Sequence, residues 1–267
     1  MKTNPLIIAL LVFVGLMCMN SCTKVSTGSL CGKVVLENDS EDPANDPVDY
    51  SGITVALYEI PELDTTITRI NTEYPQTGVQ ISTETQFDHR DYSPLRSTQT
   101  TGDGSYSITD IDPGIYVLVL LKELWGIRYI CSVSIEKAVD SDLGIATLYP
   151  EKICESYTEA GFNFLADHTY HVNQISTTFM GAVSVEPKAQ IYVEPGCSVR
   201  FMGSVAFPGE SDINNAWVFK AAKNMYDISG AGIEPADYYS SVEFQGASVD
   251  IKNGVFRHLG NAVLCSG

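Results

Sequence analysis

The sequence predicts an all-β protein made of a small antiparallel sandwich followed by a coil of short parallel strands. Three observations indicate this fold class. From about Ser29 to Pro150, short runs of Val, Ile, Leu and Tyr alternate with polar residues at a period of two. Past Tyr157 the strand-like runs shorten, and only two or three turn residues separate them. Helical periodicity is not sustained in the first region, so packed sheets are the natural way to bury its apolar side chains.

The composition limits the function classes. The chain has 267 residues, 44% of them hydrophobic, which is enough for one or two ordinary cores. Its formal charge is −17, from 33 acidic and 16 basic side chains. Binding to nucleic acid or directly to lipid headgroups needs clusters of Lys and Arg, which this chain lacks. Both are therefore excluded as leading functions.

Residues 1–21 are predicted to be a lipoprotein signal peptide. Lys2 precedes the apolar run "PLIIALLVFVGLM", which is too short to span a bilayer comfortably. The segment "MNSC", Met19 to Cys22, resembles the lipobox of bacterial lipoproteins, with Met19 where Leu is typical. Cys18 is a weaker candidate for acylation, because the bulky Met17 precedes it, and ordinary signal cleavage beside an incidental cysteine is the other alternative.

The lipobox resemblance implies acylation of Cys22 and a tether at residues 22–28. Each buried CH₂ of an acyl chain contributes about 0.8 kcal/mol, so several chains anchor a protein stably. No Asp follows Cys22, which by the same resemblance implies the outer membrane. The chain is thus expected to be exported and held at the cell envelope by its lipid, in a leaflet that the sequence leaves open.

The sandwich is predicted to occupy residues 29–150. Its turns are explicit, because Gly102-Asp103-Gly104 suits a tight hairpin and Asp112-Pro113-Gly114 suits a corner. These residues form a closed set of strands that is expected to fold alone. The predicted strands are "LCGKVVL", "GITVALYEI", "GSYSITDI", "IYVLVLL" and "YICSVSIE".

A resemblance to a known domain family rests on three stretches, "GKVVL", "PVDYSGITVALYE" and "TQTTGDGSYSITDIDPGIYVLVL". They are similar to the carboxypeptidase-regulatory-like or CnaB-like, transthyretin-related β-sandwich. This family is a structural and interaction module whose signature contains no catalytic group. The resemblance implies backbone roles for Gly104 and Gly114. It also implies that four side chains are buried, those of Tyr106, Ile108, Tyr116 and Leu118.

An insertion at about residues 60–95 interrupts this resemblance and is expected to form an extra hairpin or a long loop. Within it, His89 and Arg90 of "FDHRD" are expected at a polar loop tip rather than as a catalytic pair.

An acidic segment at residues 37–49 raises the question of calcium. Oxygen-rich loops can surround Ca²⁺, but this segment lacks the D-x-D-x-D-G order of a specific site. A solvated loop is favoured, no metal site is predicted, and the calcium question stays open. The acidic residues are Glu37, Asp39, Glu41, Asp42, Asp46 and Asp49.

The remaining cysteines encode neither a zinc site nor a redox motif, because no C-x-x-C pair is present. A disulfide between Cys31 and Cys131 is one possibility, and spacing alone does not settle the pairing. The five cysteines are Cys31, Cys131, Cys154, Cys197 and Cys265.

After a linker at 151–168, residues 169–267 are predicted to form the coil. Val185-Glu186-Pro187 recurs eight residues later as Val193-Glu194-Pro195. The surrounding sequence resembles the first rungs of a right-handed parallel β-helix, with a corner at Pro195-Gly196. A loose β-sandwich is the alternative. The resemblance implies that four side chains point into the stack, those of Ile191, Val193, Val199 and Phe201.

The coil is predicted to be incomplete. It reaches "AVLCSG" without a charged or amphipathic cap, which suggests the front portion of a longer protein or a rung covered by another chain. Self-association through this last rung is therefore expected. The residues concerned are Val255, Ala262, Val263 and Leu264.

The function predicted from these features is an envelope-anchored lipoprotein that serves as a structural or adhesive presentation module and contacts carbohydrate or protein. The alternative is the N-terminal portion of a carbohydrate-active β-helix enzyme, a polysaccharide lyase or glycosidase, whose catalytic rungs are missing. No cofactor and no catalytic residue is predicted, since nothing in the spacing of the acid and base candidates singles out a pair at matching rung positions. The acid, base and charged candidates in the coil are Glu194, Arg200, Glu243, Asp250, Arg257 and His258.

Overall fold

A computed structural model describes most of the chain after the predicted signal peptide. The residues described are 26–38, 46–61, 65–74, 87–156, 161–207, 217–232, 240–245, 249–251, 254–257, 259 and 261–266. The signal peptide and Cys22 lie outside them. The described part is all-β apart from one short α-helix and one 3₁₀ turn. It contains no helix long and apolar enough to cross a membrane.

The first seven strands form a sandwich of two sheets. One sheet has the order β4-β1-β7 and the other β3-β2-β5-β6. Every pair in the second sheet is antiparallel, whereas β1 pairs antiparallel with β4 and parallel with β7. The parallel pair departs from the predicted antiparallel sandwich and arises because β7 crosses to the other sheet. The strands are β1 Gly28–Leu36, β2 Thr54–Glu59, β3 Arg96–Gln99, β4 Ser105–Ile111, β5 Gly114–Lys122, β6 Gly126–Ile135 and β7 Asp140–Leu148.

The predicted core of the sandwich is confirmed. Tyr106, Ile108, Tyr116 and Leu118 are all buried in one apolar cluster between the sheets. The Tyr116 hydroxyl donates to the Asp112 carbonyl at 2.7 Å, which holds the predicted corner. Gly104 has φ +86°, and a Cβ there would lie 2.2 Å from the Val34 carbonyl oxygen. Only glycine therefore fits this hairpin.

The insertion differs from the predicted hairpin or loop. It contains the helix α1, Thr65–Glu73, in which Arg69 Nη1 and Glu73 Oε1 pair at 3.0 Å one turn apart. It also contains a 3₁₀ turn at His89–Asp91, and Asp88 caps that turn by accepting from Arg90 N. Residues 75–86 lie outside the described part.

The remaining strands form three parallel sheets that the chain visits in turn. Their orders are β8-β10-β13-β16-β19, β11-β14-β17-β20 and β9-β12-β15-β18. Each strand pairs with its counterpart one turn later, so that Ile191 lies between Tyr170 and Phe219. The strands are β8 Lys152–Ile153, β9 Phe162–Phe164, β10 Thr169–Val172, β11 Ser176–Phe179, β12 Val183–Val185, β13 Gln190–Val193, β14 Ser198–Phe201, β15 Val205–Phe207, β16 Trp217–Ala221, β17 Ser241–Gln245, β18 Val249–Ile251, β19 Gly254–Arg257 and β20 Asn261–Ser266.

Apolar side chains fill the space between these three sheets. The four residues predicted to point inward, Ile191, Val193, Val199 and Phe201, are fully buried there. Phe201 stacks between Phe179 and Phe244, with ring centroids 5.4 and 5.3 Å apart. Gly196 has φ +83° at the predicted corner. The repeated phrase in the sequence therefore corresponds to strands followed by tight corners.

Parallel pairing begins earlier than predicted. The predicted linker, residues 151–168, contains β8 and β9, which pair with β10 and β12. Strands of two and three residues are too short to show a period of two, which is why the sequence pattern misses them. At the other end, the side chains of Val255, Ala262, Val263 and Leu264 lie outside the described part. Self-association through these residues stays a prediction.

Candidate functional site

The sandwich and the coil share a buried interface, which we call the junction. The β2 and β5 side chains that face away from the sandwich core pack against residues of the first parallel sheet and the loop after β16. The junction cluster comprises Ala56, Tyr58, Phe87, Val117, Val119, Leu121, Ile127, Tyr192, Ala222 and Met225.

Charged residues lie inside this apolar interface. His89 and Arg90 are 0% and 1% exposed, so the expected polar loop tip is wrong. The Asp88 carboxylate accepts from Arg90 Nε at 2.9 Å and from Nη2 at 2.8 Å. Arg90 Nη1 donates to the carbonyls of Ala221 and Lys223 at 2.6 and 2.8 Å. The insertion is thereby attached to the loop after β16.

A second cation completes the cluster. Lys220 Nζ lies 3.4 Å from Asp88 Oδ2 and donates to the Tyr129 hydroxyl at 3.2 Å. The buried Asp88 carboxylate is thus the counter-ion of two buried cations, Arg90 and Lys220. Burial alone would raise the pKa of Asp88, but Lys220 and Arg90 hold it well below its usual range.

His89 joins the same cluster as a neutral ring. Its Nε2 is 2.9 Å from the Met225 carbonyl and its Nδ1 is 2.6 Å from the Tyr129 hydroxyl. Because a carbonyl only accepts, Nε2 donates, and the neutral ring accepts from Tyr129 through Nδ1. Burial, together with Lys220 and Arg90, lowers the pKa of His89 to about 4, although Asp88 acts in the opposite direction. A buried, hydrogen-bonded group of this kind stabilises the interface and offers no access to a substrate.

A second polar cluster lies half-buried beside the junction. His171 Nδ1 is 2.7 Å from Glu151 Oε1, and Nε2 is 2.8 Å from Glu194 Oε1. The Tyr226 hydroxyl donates to the other oxygen of Glu151. The hydrogen bond to Glu151, followed by that to Glu194, raises the pKa of His171 against its partial burial. Each ring nitrogen thus faces a carboxylate oxygen, and both donate when the ring is protonated.

The structure brings some of the sequence candidates together. Arg200 on β14 and Glu243 on β17 are cross-strand partners, with Nε and Oε2 2.9 Å apart. Glu194 follows β13 in a different sheet and binds His171.

The other sequence candidates lie at the end of the described coil. Asp250 is opposite Ala206 and Arg257 is opposite Lys220. Their side chains, and all of His258, lie outside the described part. The candidates with described side chains are thus distributed over two sheets rather than assembled in one groove.

Cysteines and metal ligands add no further cluster within the described ranges. Cys31, Cys131, Cys154 and Cys197 are not joined in disulfides, so the possible Cys31–Cys131 disulfide is not formed. The side chain of Cys265 is not among those described. No three described His, Cys, Asp or Glu side chains are grouped to hold a metal ion. Residues 39–45 of the acidic segment lie outside the described part, and with them the calcium question.

One open cleft lies where the sandwich edge meets the coil. It has a volume of about 360 Å³ and is lined by residues of β6, β7 and two coil corners. We call it the edge cleft. Its charged residues are Arg128, Asp167 and Lys188. No local sequence pattern predicts these three residues as a group, because they come from segments that are far apart in the chain.

No family model matches the chain, and no curated protein matches it. Three solved structures are similar over part of their length. One is a type II cohesin–X-dockerin complex from Acetivibrio cellulolyticus, with 16% identity, TM-score 0.28, and coverage of 46% of this chain and 58% of that chain. A minor pilin of Streptococcus agalactiae has 17% identity and TM-score 0.26, over 47% of this chain and 45% of that chain. The major pilin of Corynebacterium diphtheriae has 14% identity and TM-score 0.26, over 46% and 30%. The chain thus spans less than two thirds of each of these proteins, and at these TM-scores the likeness carries no argument about function.

Proposed function

We propose that this chain is an envelope-anchored lipoprotein, tethered through Cys22, that serves as a structural or adhesive presentation module contacting carbohydrate or protein. The junction carries the proposal. Separate domains ordinarily move relative to one another unless their interface is large and hydrophobic. Here an apolar cluster and the Asp88–Arg90–Lys220 ion cluster join the sandwich to the coil. Such a joint suits a rigid spacer that holds the coil at a fixed orientation.

We further propose that the coil is a right-handed parallel β-helix. The three parallel sheets visited in turn and the inward-facing Phe ladder support this assignment. A stack of this kind offers extended outer faces on which a partner can bind. The sandwich would then act as the spacer between these faces and the membrane.

The enzyme alternative receives less support from the coil carboxylates. Glycoside cleavage needs an acid and a base that face an open groove. Among the described side chains, Glu151 and Glu194 are bound to His171, and Glu243 is bound to Arg200. These carboxylates stabilise the stack through ion pairs, which favours the presentation role.

The anchor is tested by replacing Cys22 in cells that express the full chain. We expect the unaltered protein to incorporate labelled fatty acid and to sediment with membranes. Cys22→Ser should abolish the labelling and release a soluble or differently processed product. Cys18→Ser, in the same apolar segment, is the matched control and should keep both properties. Unchanged labelling of Cys22→Ser would show that the anchor assignment is wrong.

Contact with a partner is tested separately. The full chain, purified in a non-ionic detergent, should retain envelope glycans or host glycoproteins in a binding screen. Release of new reducing ends from a bound glycan would instead favour the enzyme.

A further inference from the structure

The edge cleft is built from both parts of the molecule. One wall is the edge strand β6 with its neighbour β7, and the other consists of coil corners at Asp167 and Lys188. Its volume of about 360 Å³ is at the lower end of the range for small-molecule pockets, roughly 300–1,000 Å³. That size admits about one sugar ring or a similar group. Ile145, which is 71% exposed, gives the cleft an apolar surface.

The cleft carries one cation whose charge is not neutralised within the described part of the chain. Arg128 uses two donors, one to the Thr147 carbonyl at 3.0 Å and one to Asp167 at 3.4 Å. A guanidinium has more N–H donors than these two contacts use, so further donors are available to a ligand. Lys188 is exposed and has no ion-pair partner among the described residues. The three charged side chains of the cleft therefore sum to one positive charge, in a protein whose formal charge is −17.

The backbone of Lys188 points to a role for its side chain. Lys188 has φ +64° and Asp167 has φ +59°, at the same corner of successive turns. Glycine adopts this left-handed conformation without steric cost, whereas a side chain such as that of Lys is strained there. Strain that a structure retains is often associated with function. This corner therefore holds a lysine at a position whose backbone conformation glycine would adopt more easily.

Two observations favour a saccharide over an extended peptide. The β6 edge has an irregular register beside Ser132, where φ is +56°, and such a bulge blocks the addition of a further strand. A smaller cavity of about 30 Å³, which shares Arg128, Asp167 and Lys188 with the cleft, is lined in part by Gln190. The buried Gln190 Oε1 accepts no hydrogen bond from the protein. A cavity of that size holds a water, which can link Gln190 to a hydroxyl-rich ligand.

We infer that the edge cleft binds an acidic saccharide. A hexuronate carboxylate lies between Lys188 and the free donors of Arg128, and the apolar face of the sugar ring packs on Ile145. Asp167 accepts from a ring hydroxyl. This inference rests on the proposed function and deepens it, because it names the glycan class and the site that contacts it.

The test is calorimetric titration of the full chain, in non-ionic detergent, with a disaccharide of galacturonic acid. A disaccharide of galactose, which lacks the carboxylates, is the ligand control. We expect saturable binding of the acidic sugar that weakens as salt is added. Lys188→Gln should weaken it about ten- to hundredfold, the effect of losing one charge-assisted hydrogen bond. The exposed Lys137, outside the cleft, provides the matched variant Lys137→Gln, which should bind as the unaltered chain does.

The variant Lys188→Gly distinguishes a loss of binding from a loss of folding stability. It removes the ammonium and relieves the left-handed strain, so it should weaken the binding at least as much as Lys188→Gln does, without lowering the melting temperature. The inference is overturned by any of three results: no saturable binding, equal affinity for the neutral sugar, or tighter binding of an acidic peptide. Such a result leaves the Cys22 labelling experiment untouched, and a failed anchor would equally leave the titration interpretable.

Discussion

At the scale of single residues, the junction depends on one carboxylate. Asp88 is fully buried between Arg90 and Lys220, and it also caps the 3₁₀ turn that contains Arg90. Removing the anion while keeping its shape leaves two buried cations without a counter-charge. Breaking a buried pair in this way costs far more than the pair itself contributes, because the remaining charge is desolvated and uncompensated.

We therefore expect Asp88→Asn to lower the free energy of unfolding by about 3–5 kcal/mol at pH 7. Urea unfolding measures the loss. The matched control is Asp112→Asn, an exposed carboxylate in the sandwich corner, which should cost less than about 0.5 kcal/mol. A loss for Asp88→Asn as small as that of the control would mean that water reaches the cluster.

His89 should make the protein sensitive to acid. Its pKa is about 4 in the folded chain and 6.5 in the unfolded chain, so the unfolded state binds the proton more readily. Stability is therefore present above pH 6.5 and is lost as the pH falls from 6.5 towards 4. The gap corresponds to about 3 kcal/mol. His89→Gln should flatten the loss of stability over this range, as followed by urea unfolding at several pH values.

His171 provides the control of opposite sign. Its pKa is raised in the folded chain, so its contribution is present below pH 6.5 and is lost as the pH rises through the folded value. His171→Gln should leave the loss of stability between pH 6.5 and 4 nearly as steep as in the unaltered chain, and should flatten the loss that occurs as the pH rises above 6.5. The same response from both variants would show that the acid sensitivity comes from other groups.

At the scale of elements, the coil depends on close contact between its corners. Phe179-Met180-Gly181 and Phe201-Met202-Gly203 occupy equivalent corners of successive turns. A Cβ on Gly203 would lie 2.1 Å from the Gly181 carbonyl oxygen, and backbone cannot yield at that distance without moving the turn. The successive turns are thus so close at this corner that only glycine fits at position 203.

Gly203→Ala should destabilise the chain by about 3 kcal/mol, the upper part of the range for overpacking. Gly196→Ala is the control, because Gly196 has φ +83° but nothing within 4 Å of its Cβ position. It should cost only about 1 kcal/mol of backbone strain. Urea unfolding ranks the two. The opposite ranking would show that the corners are more widely spaced than the structure has them.

The elements also show what the sequence can predict. Strands such as β4 and β6 were predicted because alternation over seven to ten residues is a strong signal. The helix α1 and the strands β8 and β9 were missed because they are short. The ion cluster was missed because Asp88 and Lys220 are far apart in sequence, and no local pattern links them. The sequence did contain one signal of the junction. Strand β5 reads "IYVLVLL" without alternation, and such a run is typical of a strand buried on both faces.

At the scale of the whole molecule, that two-sided burial makes the sandwich dependent on the coil. Leu118 and Leu120 of β5 lie in the sandwich core, while Val117, Val119 and Leu121 lie in the junction. Cutting the chain after residue 150 would expose this second face together with Asp88 and Arg90. The fragment 29–150, expected from the sequence to fold alone, would then carry a contiguous apolar patch, and such patches drive association.

We expect the full chain to unfold in one cooperative transition, because the junction couples its two parts. The fragment 29–150 should melt at a lower temperature and self-associate in sedimentation experiments. Val119→Lys tests the cause, since Val119 is fully buried in the junction. In the fragment this side chain would be exposed, so Val119→Lys should restore a monomer. In the full chain the same change buries an unpaired charge and should destabilise by several kcal/mol. Two separate transitions in the full chain, together with a monomeric and equally stable unaltered fragment, would show that the sandwich and coil are independent and that the junction does not make the molecule rigid.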